Sequence, residues 1–110
     1  MRVAVYSFSL RGAELSKKVG DFLHTLGYEV QVETLPKYAE EAKLPAMVGN
    51  HYQVTEEAFK NCQAIVYVGS VGIAVRSIAP FLKSKLVDPA IISVDERGNF
   101  VIPLVAGHIG

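Results

Sequence analysis

The sequence has one cysteine, no tryptophan, and eleven Lys and Arg residues set against eleven Asp and Glu. With Cys62 alone, no internal disulfide can form, and its apolar neighbours Ala58, Phe59, Ala64 and Ile65 point to a buried, unreactive thiol. The zero formal net charge removes the basic surface that nucleic-acid binding and membrane-surface binding both need. Any polyanionic ligand must therefore be held locally, by a few placed donors. No apolar run approaches the ~20 residues of a membrane span. The opening run from Met1 is broken by Ser7, Ser9 and Arg11, too early for a secretory signal, so the expected compartment is the cytoplasm. Metal ligands are also scarce: one cysteine and the scattered His24, His51 and His108 have no metal-site spacing.

What is present is a chain of 110 residues, half of them hydrophobic, enough for one packed domain spanning residues 1–110. Arg2 to Phe8 reads as a first strand buried on both faces. From Arg11 to Gly27 a helical period sets Leu15, Val19, Phe22, Leu23 and Leu26 on one stripe, with Gly27 as the stop. Tyr28 to Leu35 alternates as a second strand. Leu35 to Val54 is punctuated by Pro36, Pro45 and Gly49-Asn50; it reads as a connection with two helical turns, or as a surface closing over a ligand, and His51 reads as a solvated loop histidine. Thr55 reads as the N-cap of a short helix to about Asn61. Ala64 to Gly69 is the most continuously apolar segment and the expected central strand. The helix after it should break at Pro80, and Asp88-Pro89 should end that element. Ala90 to Val105 has the shape of a hairpin turning at Glu96 to Asn99. The expected fold is a three-layer α/β domain of Rossmann or flavodoxin type, its sheet mainly parallel, with a β-hairpin near the C-terminus.

The chemistry-bearing candidates follow from that architecture. Ligands of open α/β sheets sit beyond the carboxyl ends of the strands, against helix N-termini. Gly69, Ser70, Val71 and Gly72 occupy such a position, and Arg76 follows one helical turn later, able to fork onto a carboxylate. The run lacks the third glycine of a dinucleotide fingerprint and the Gly-Lys-Ser/Thr of a phosphate-binding loop. Ser7 to Gly12, with Arg11, is a second candidate on the same edge. At the tail, Gly107 and His108 offer an imidazole in a glycine-rich loop. Asp95 and Glu96 are adjacent and cannot act as a carboxylate pair, Glu96 being expected to serve the turn.

The stretch "GIAVRSIAPFLKSKLVDPAIISVDERGNFVIPLVAGHIG", Gly72 to Gly110, resembles the signature region of the cobalt-precorrin-5A hydrolases, the CbiG proteins of anaerobic cobalamin biosynthesis. The motifs that carry the likeness are G-I-A-V-R, I-A-P, K-x-x-D-P-A, D-E-x-G-x-F-V-I and G-H-x-G, in that order. Family members continue past G-H-x-G into a separate C-terminal domain, so the expectation is an N-terminal portion with that domain absent. The resemblance implies a hydrolase acting on a carbon–carbon bond: it opens the δ-lactone of cobalt-precorrin-5A and expels acetaldehyde to give cobalt-precorrin-5B. The substrate is a cobalt-corrin polycarboxylate that brings its own cobalt, and no other cofactor is implied. In that setting His108 is the candidate general base, with Asp95 orienting water. The amides of Gly69, Ser70, Val71 and Gly72, with Arg76 and Gly107, are the candidate substrate contacts. Two other readings stand beside it: a non-catalytic corrinoid- or anion-binding module acting with a separate domain, and a small flavodoxin-like binding domain. An open sheet edge makes a homo-oligomer feasible.

Overall fold

A computed structural model describes residues 1–105. Its elements run β1 (Arg2–Ser7), α1 (Leu10–Thr25), β2 (Glu29–Thr34), α2 (Pro36–Ala42), α3 (His51–Asn61), β3 (Ala64–Val68), α4 (Val71–Ile78), a 3-10 turn (Ala79–Phe81), β4 (Ala90–Val94) and β5 (Val101–Val105). One sheet holds all five strands in the order β2-β1-β3-β4-β5. The first four are parallel and β5 returns antiparallel to β4. The mainly parallel α/β sheet and its C-terminal hairpin are therefore as expected.

Strand residues alternate between two cores. Val3, Val5, Ala64, Val66, Val68, Ala90 and Val94 face α1, against Leu15, Val19 and Leu23. Ala4, Tyr6, Ile65, Tyr67 and Ile91 face α3 and α4, against Val54, Ala58, Ala74 and Ile78. All five residues of β3 are buried, the mark of a central strand covered on both sides. Helix α1 departs from the expected stripe. Phe22 and Leu26 are exposed, and the face against the sheet is built instead from Gly12, Ala13, Ser16 and Gly20 flanking the three aliphatics. Small residues win there because α1 lies close to the strands: a Cβ on Gly20 would stand 2.6 Å from a methyl of Val32.

The segment after β2 is docked. Thr34 pairs with Ala46 in a parallel bridge, Met47 donates its N–H to the carbonyl of Thr34 at 2.8 Å, and the Met47 side chain is buried in the α3 core. Helix α3 begins earlier than expected. Its cap is Asn50, whose side chain accepts from the N–H groups of Tyr52 and Gln53 while Gln53 bonds back to Asn50, a complete capping box. Thr55, read from the sequence as the cap, is buried mid-helix and shares a 2.6 Å hydrogen bond with the Tyr67 hydroxyl. Pro80 ends α4 as expected, and Asp88 closes the following loop by accepting from the N–H groups of Lys83 and Ser84. At the outer edge, Pro103 of β5 has no N–H to offer another strand, which blunts that edge.

Two predictions follow from the packing. Gly20→Ala gains helix propensity of ~1 kcal/mol but drives a methyl into Val32, an overpacking penalty of ~1–3 kcal/mol. The expected net is a loss of about 1 kcal/mol, read as a lower urea midpoint with unchanged slope; a gain in midpoint would mean that α1 can lift from β2.

Burial holds the Tyr67 phenol protonated, pushing its pKa from 10.0 up to about 12, with the Thr55 bond acting the other way. Burial raises Tyr6 as well. The folded state binds these protons more tightly than the unfolded one, so their contribution is whole below pH 10.0 and is lost as pH rises toward 12. Urea unfolding across that window should show stability falling, and Tyr67→Phe should flatten part of the fall.

Candidate functional site

The carboxyl ends of β1, β3 and β4 open on one edge of the sheet, at Ser7, Val68 and Val94. Strand order reverses between β1 and β3: the chain leaves β1 toward β2 through α1 on one face, and leaves β3 toward β4 through α4 on the other. The two helix N-termini therefore flank one crevice, the place where such sheets receive ligands.

The α1 end is filled from within. Ser9 caps α1, accepting from Gly12 N–H at 3.0 Å, and its hydroxyl donates to Glu96 Oε2 at 2.5 Å. Glu96 reaches this position from the hairpin tip, where Gly98, at φ +75°, lies against Leu15. A carboxylate of the chain thus sits where the helix dipole favours an anion. Ser7, a second hydroxyl expected to be on offer here, is fully buried, within 3.4 Å of the Ser16 hydroxyl. Arg11 stays exposed, lining a groove of about 320 Å³ with Glu14, Leu15, Lys18, Glu96 and Arg97.

The α4 end is different. Gly69 continues the sheet by donating to Val94 O at 2.8 Å, and Ser70 caps the helix, accepting from Ile73 N–H at 3.3 Å. The N–H groups of Val71 and Gly72 belong to the first turn and have no carbonyl within the helix. Arg76 folds back along α4: its guanidinium nitrogens lie 3.5 and 3.7 Å from where a Cβ of Gly72 would be. Glycine at 72 thus leaves room for a cation across the first turn, beside the amides of Val71 and Gly72. Gly69, Ser70, Val71, Gly72 and Arg76 are gathered at one pole. Phe8 walls the crevice from the β1 side, stacked on Tyr67 with ring centroids 6.4 Å apart.

Asp95 lies in the hairpin turn on the same edge, but both its oxygens are engaged there. Oδ1 accepts from Phe100 N–H at 2.6 Å and Oδ2 from Arg97 N–H at 3.3 Å. Asp95 bonds within the turn, and Glu96, expected to serve the turn, is the carboxylate that reaches across to another element. Gly107 and His108 lie outside the described residues. His51, read as a loop histidine, is instead the first residue of α3, half-buried, with Nδ1 2.7 Å from the hydroxyl of Ser77 on α4. The Asn50…Gln53 spacing was the signal that could have placed it. Nothing local in the sequence announces its Ser77 partner. Cys62 is buried and its thiol is pushed up by burial, as an inert cysteine should be.

The fold defines a doubly wound α/β module with a helix N-terminus and an arginine at its switch point. The family described as Cobalamin synthesis G N-terminal matches residues 53–110, more than half the chain, and the chain belongs to that family. It is 33% identical over 108 residues to a cobalt-precorrin-5A hydrolase of Salmonella typhimurium, and 27% identical over 107 residues to one of Priestia megaterium. These alignments cover 98% and 97% of this chain and 29% of each relative, so the chain spans under a third of the length of the curated relatives it matches. A solved structure described as a cobalamin biosynthesis protein G homolog, from Sulfolobus solfataricus, superimposes with a TM-score of 0.73 at 28% identity, covering 96% of this chain and 29% of that one. Homologues so named support a role in cobalamin biosynthesis.

The Ser9–Glu96 bond yields a test. A hydrogen bond to a charged group contributes ~1.5–3 kcal/mol. Glu96→Ala should therefore speed amide exchange at Gly98 and Phe100 about 10-fold or more while leaving β3 amides protected. Unchanged exchange would mean that Gly98 against Leu15 holds the tip by itself.

Proposed function

We propose that this chain supplies the carboxylate-gripping part of a cobalt-precorrin-5A hydrolase, the enzyme that opens the substrate's δ-lactone, releases acetaldehyde and gives cobalt-precorrin-5B. The observation that carries the reading is the α4 pole, with Arg76 laid over Gly72 beside the first-turn amides of Val71 and Gly72, which have no carbonyl within the helix. A macrocycle fringed with carboxylates suits a neutral chain that holds its donors in one place. Arg76 forks onto one carboxylate and the helix dipole favours its charge. In the hydrolytic step water adds to the lactone carbonyl, a general base takes its proton, and backbone amides steady the oxyanion. His108 is the proposed base. Asp95, anchored in the hairpin turn by the N–H groups of Arg97 and Phe100, is the proposed orienter of the water.

The share of the relatives that this chain covers favours a second reading, in which it binds corrinoid and the remainder of a longer protein completes the chemistry. An absorbance titration with a cobalt-corrin polycarboxylate tests the shared part. Saturable binding should weaken about 10- to 100-fold in Arg76→Ala, the worth of one charged hydrogen-bonded contact. Binding indifferent to Arg76 would remove the α4 pole from the site. Acetaldehyde release then separates the two readings: in a full-length relative the matching His108→Ala change should abolish most turnover and leave corrinoid binding intact.

A further inference from the structure

The one histidine pairing among the described residues has a defined polarity. Ser77 back-bonds within α4, its hydroxyl lying 2.6 Å from the carbonyl oxygen of Ile73. Two oxygens that close need a proton between them, and serine has only one, so the Ser77 hydroxyl proton is committed to Ile73. Its oxygen can then only accept from the ring nitrogen 2.7 Å away, which places the imidazole proton of His51 on Nδ1. In the neutral imidazole Nε2 is then the lone-pair nitrogen. Tyr52, with its ring centroid 4.1 Å from that of His51, flanks the imidazole. Ser77 is fully buried, so the orienting partner is held by packing.

The position of this nitrogen matters as much as its tautomer. Successive helical residues are rotated by about 100°, so the Ile73–Ser77 row of α4 adjoins the Gly72–Arg76 row. His51 therefore meets α4 at the residue that follows Arg76 in the chain. The other flank of that open face is apolar, with Val71 and Val75 exposed one turn apart. Among the described residues no group of three or more His, Cys, Asp or Glu could hold a metal ion, and His51 offers a single imidazole nitrogen. It suits a metal whose in-plane positions are already filled by a macrocycle and whose axial position is open.

We propose that His51 Nε2 is an axial ligand to the cobalt of the bound corrinoid, with Ser77 as the residue that positions it. Imidazole nitrogen is a good donor to first-row transition metals, and ligating histidines characteristically donate their other N–H to an orienting acceptor. Coordination forms one Nε2–cobalt bond in exchange for an axial water and leaves the Nδ1–H bond to Ser77 intact. The inference rests on the corrinoid reading above and adds to it a contact with the metal itself.

The test uses the 110-residue chain and cobyrinic acid in its Co(II) form. Electron paramagnetic resonance should show each cobalt hyperfine line split into a triplet by one axial nitrogen. The splitting should vanish in His51→Ala and persist at saturation in Arg76→Ala. Ser77→Ala should weaken the coordinated form about 10-fold or more, as loss of an orienting partner does. Nitrogen NMR of the free chain should place the His51 proton on Nδ1, a check that holds even if His51→Ala fails to fold. Saturable, Arg76-dependent binding without nitrogen splitting, splitting that survives His51→Ala, or a proton on Nε2 would each overturn the proposal and leave the corrinoid reading standing. Absence of any corrinoid binding would remove both.

Discussion

Burial of β3 on both faces is the constraint from which the rest of the domain follows. Ala64, Val66 and Val68 need cover on one side, Ile65 and Tyr67 on the other, and a strand of five residues cannot be covered twice by one helix. Helix α1 therefore takes one face and α3 with α4 the other. Since α1 leaves from β1 and α4 from β3, their N-termini emerge side by side at the sheet's carboxyl edge. The crevice is thus a by-product of two-sided burial, with large apolar side chains contributing ~1.5–3 kcal/mol each. Even the polar atoms inside obey it: Thr55 and Tyr67 satisfy one another across the α3–β3 interface, and no buried side-chain polar atom among the described residues lacks a partner.

Two equivalent helix ends at one edge would give two anion sites, and the structure makes them unequal. Glu96, brought in by the hairpin, neutralises the α1 end from inside the chain. Arg76, folded along Gly72, adds positive charge to the α4 end. The difference arises from side chains that the β4–β5 turn and one helical turn deliver, while the backbone poles themselves are alike. A chain with no net charge thereby places an arginine at one helix end and a glutamate at the other. The family to which it belongs and the names of its relatives support a role in cobalamin biosynthesis.

The elements that reading along the chain places well are those whose cause is local. Strand β3 is continuous apolar sequence; Pro80 cannot carry α4 onward; the Glu96–Asn99 turn separates two β-rich runs; Gly69 to Gly72 follows a strand and opens a helix. Where the reading went astray, two local signals competed or a partner lay far away. Thr55 and Asn50 are both good caps, and Asn50 wins because Gln53 completes its box. Phe22 and Leu26 fit a helical stripe, but close packing against Val32 selects Gly20 and its small neighbours instead. Asp95 and Glu96 are alike as letters, and only the hairpin's fold over α1 lets Glu96 accept from the Ser9 hydroxyl while Asp95 accepts from turn N–H groups.

Sequence alone therefore determined the class of fold, the central strand and the glycine-lined pole with its arginine, because each depends on patterns a few residues long. Tertiary structure decided which pole receives Glu96, which face of α1 is buried, and that His51 meets Ser77 across 26 residues of chain. Those outcomes depend on which surfaces are brought within a few ångströms once β3 is covered on both sides, and no short stretch of residues encodes that distance.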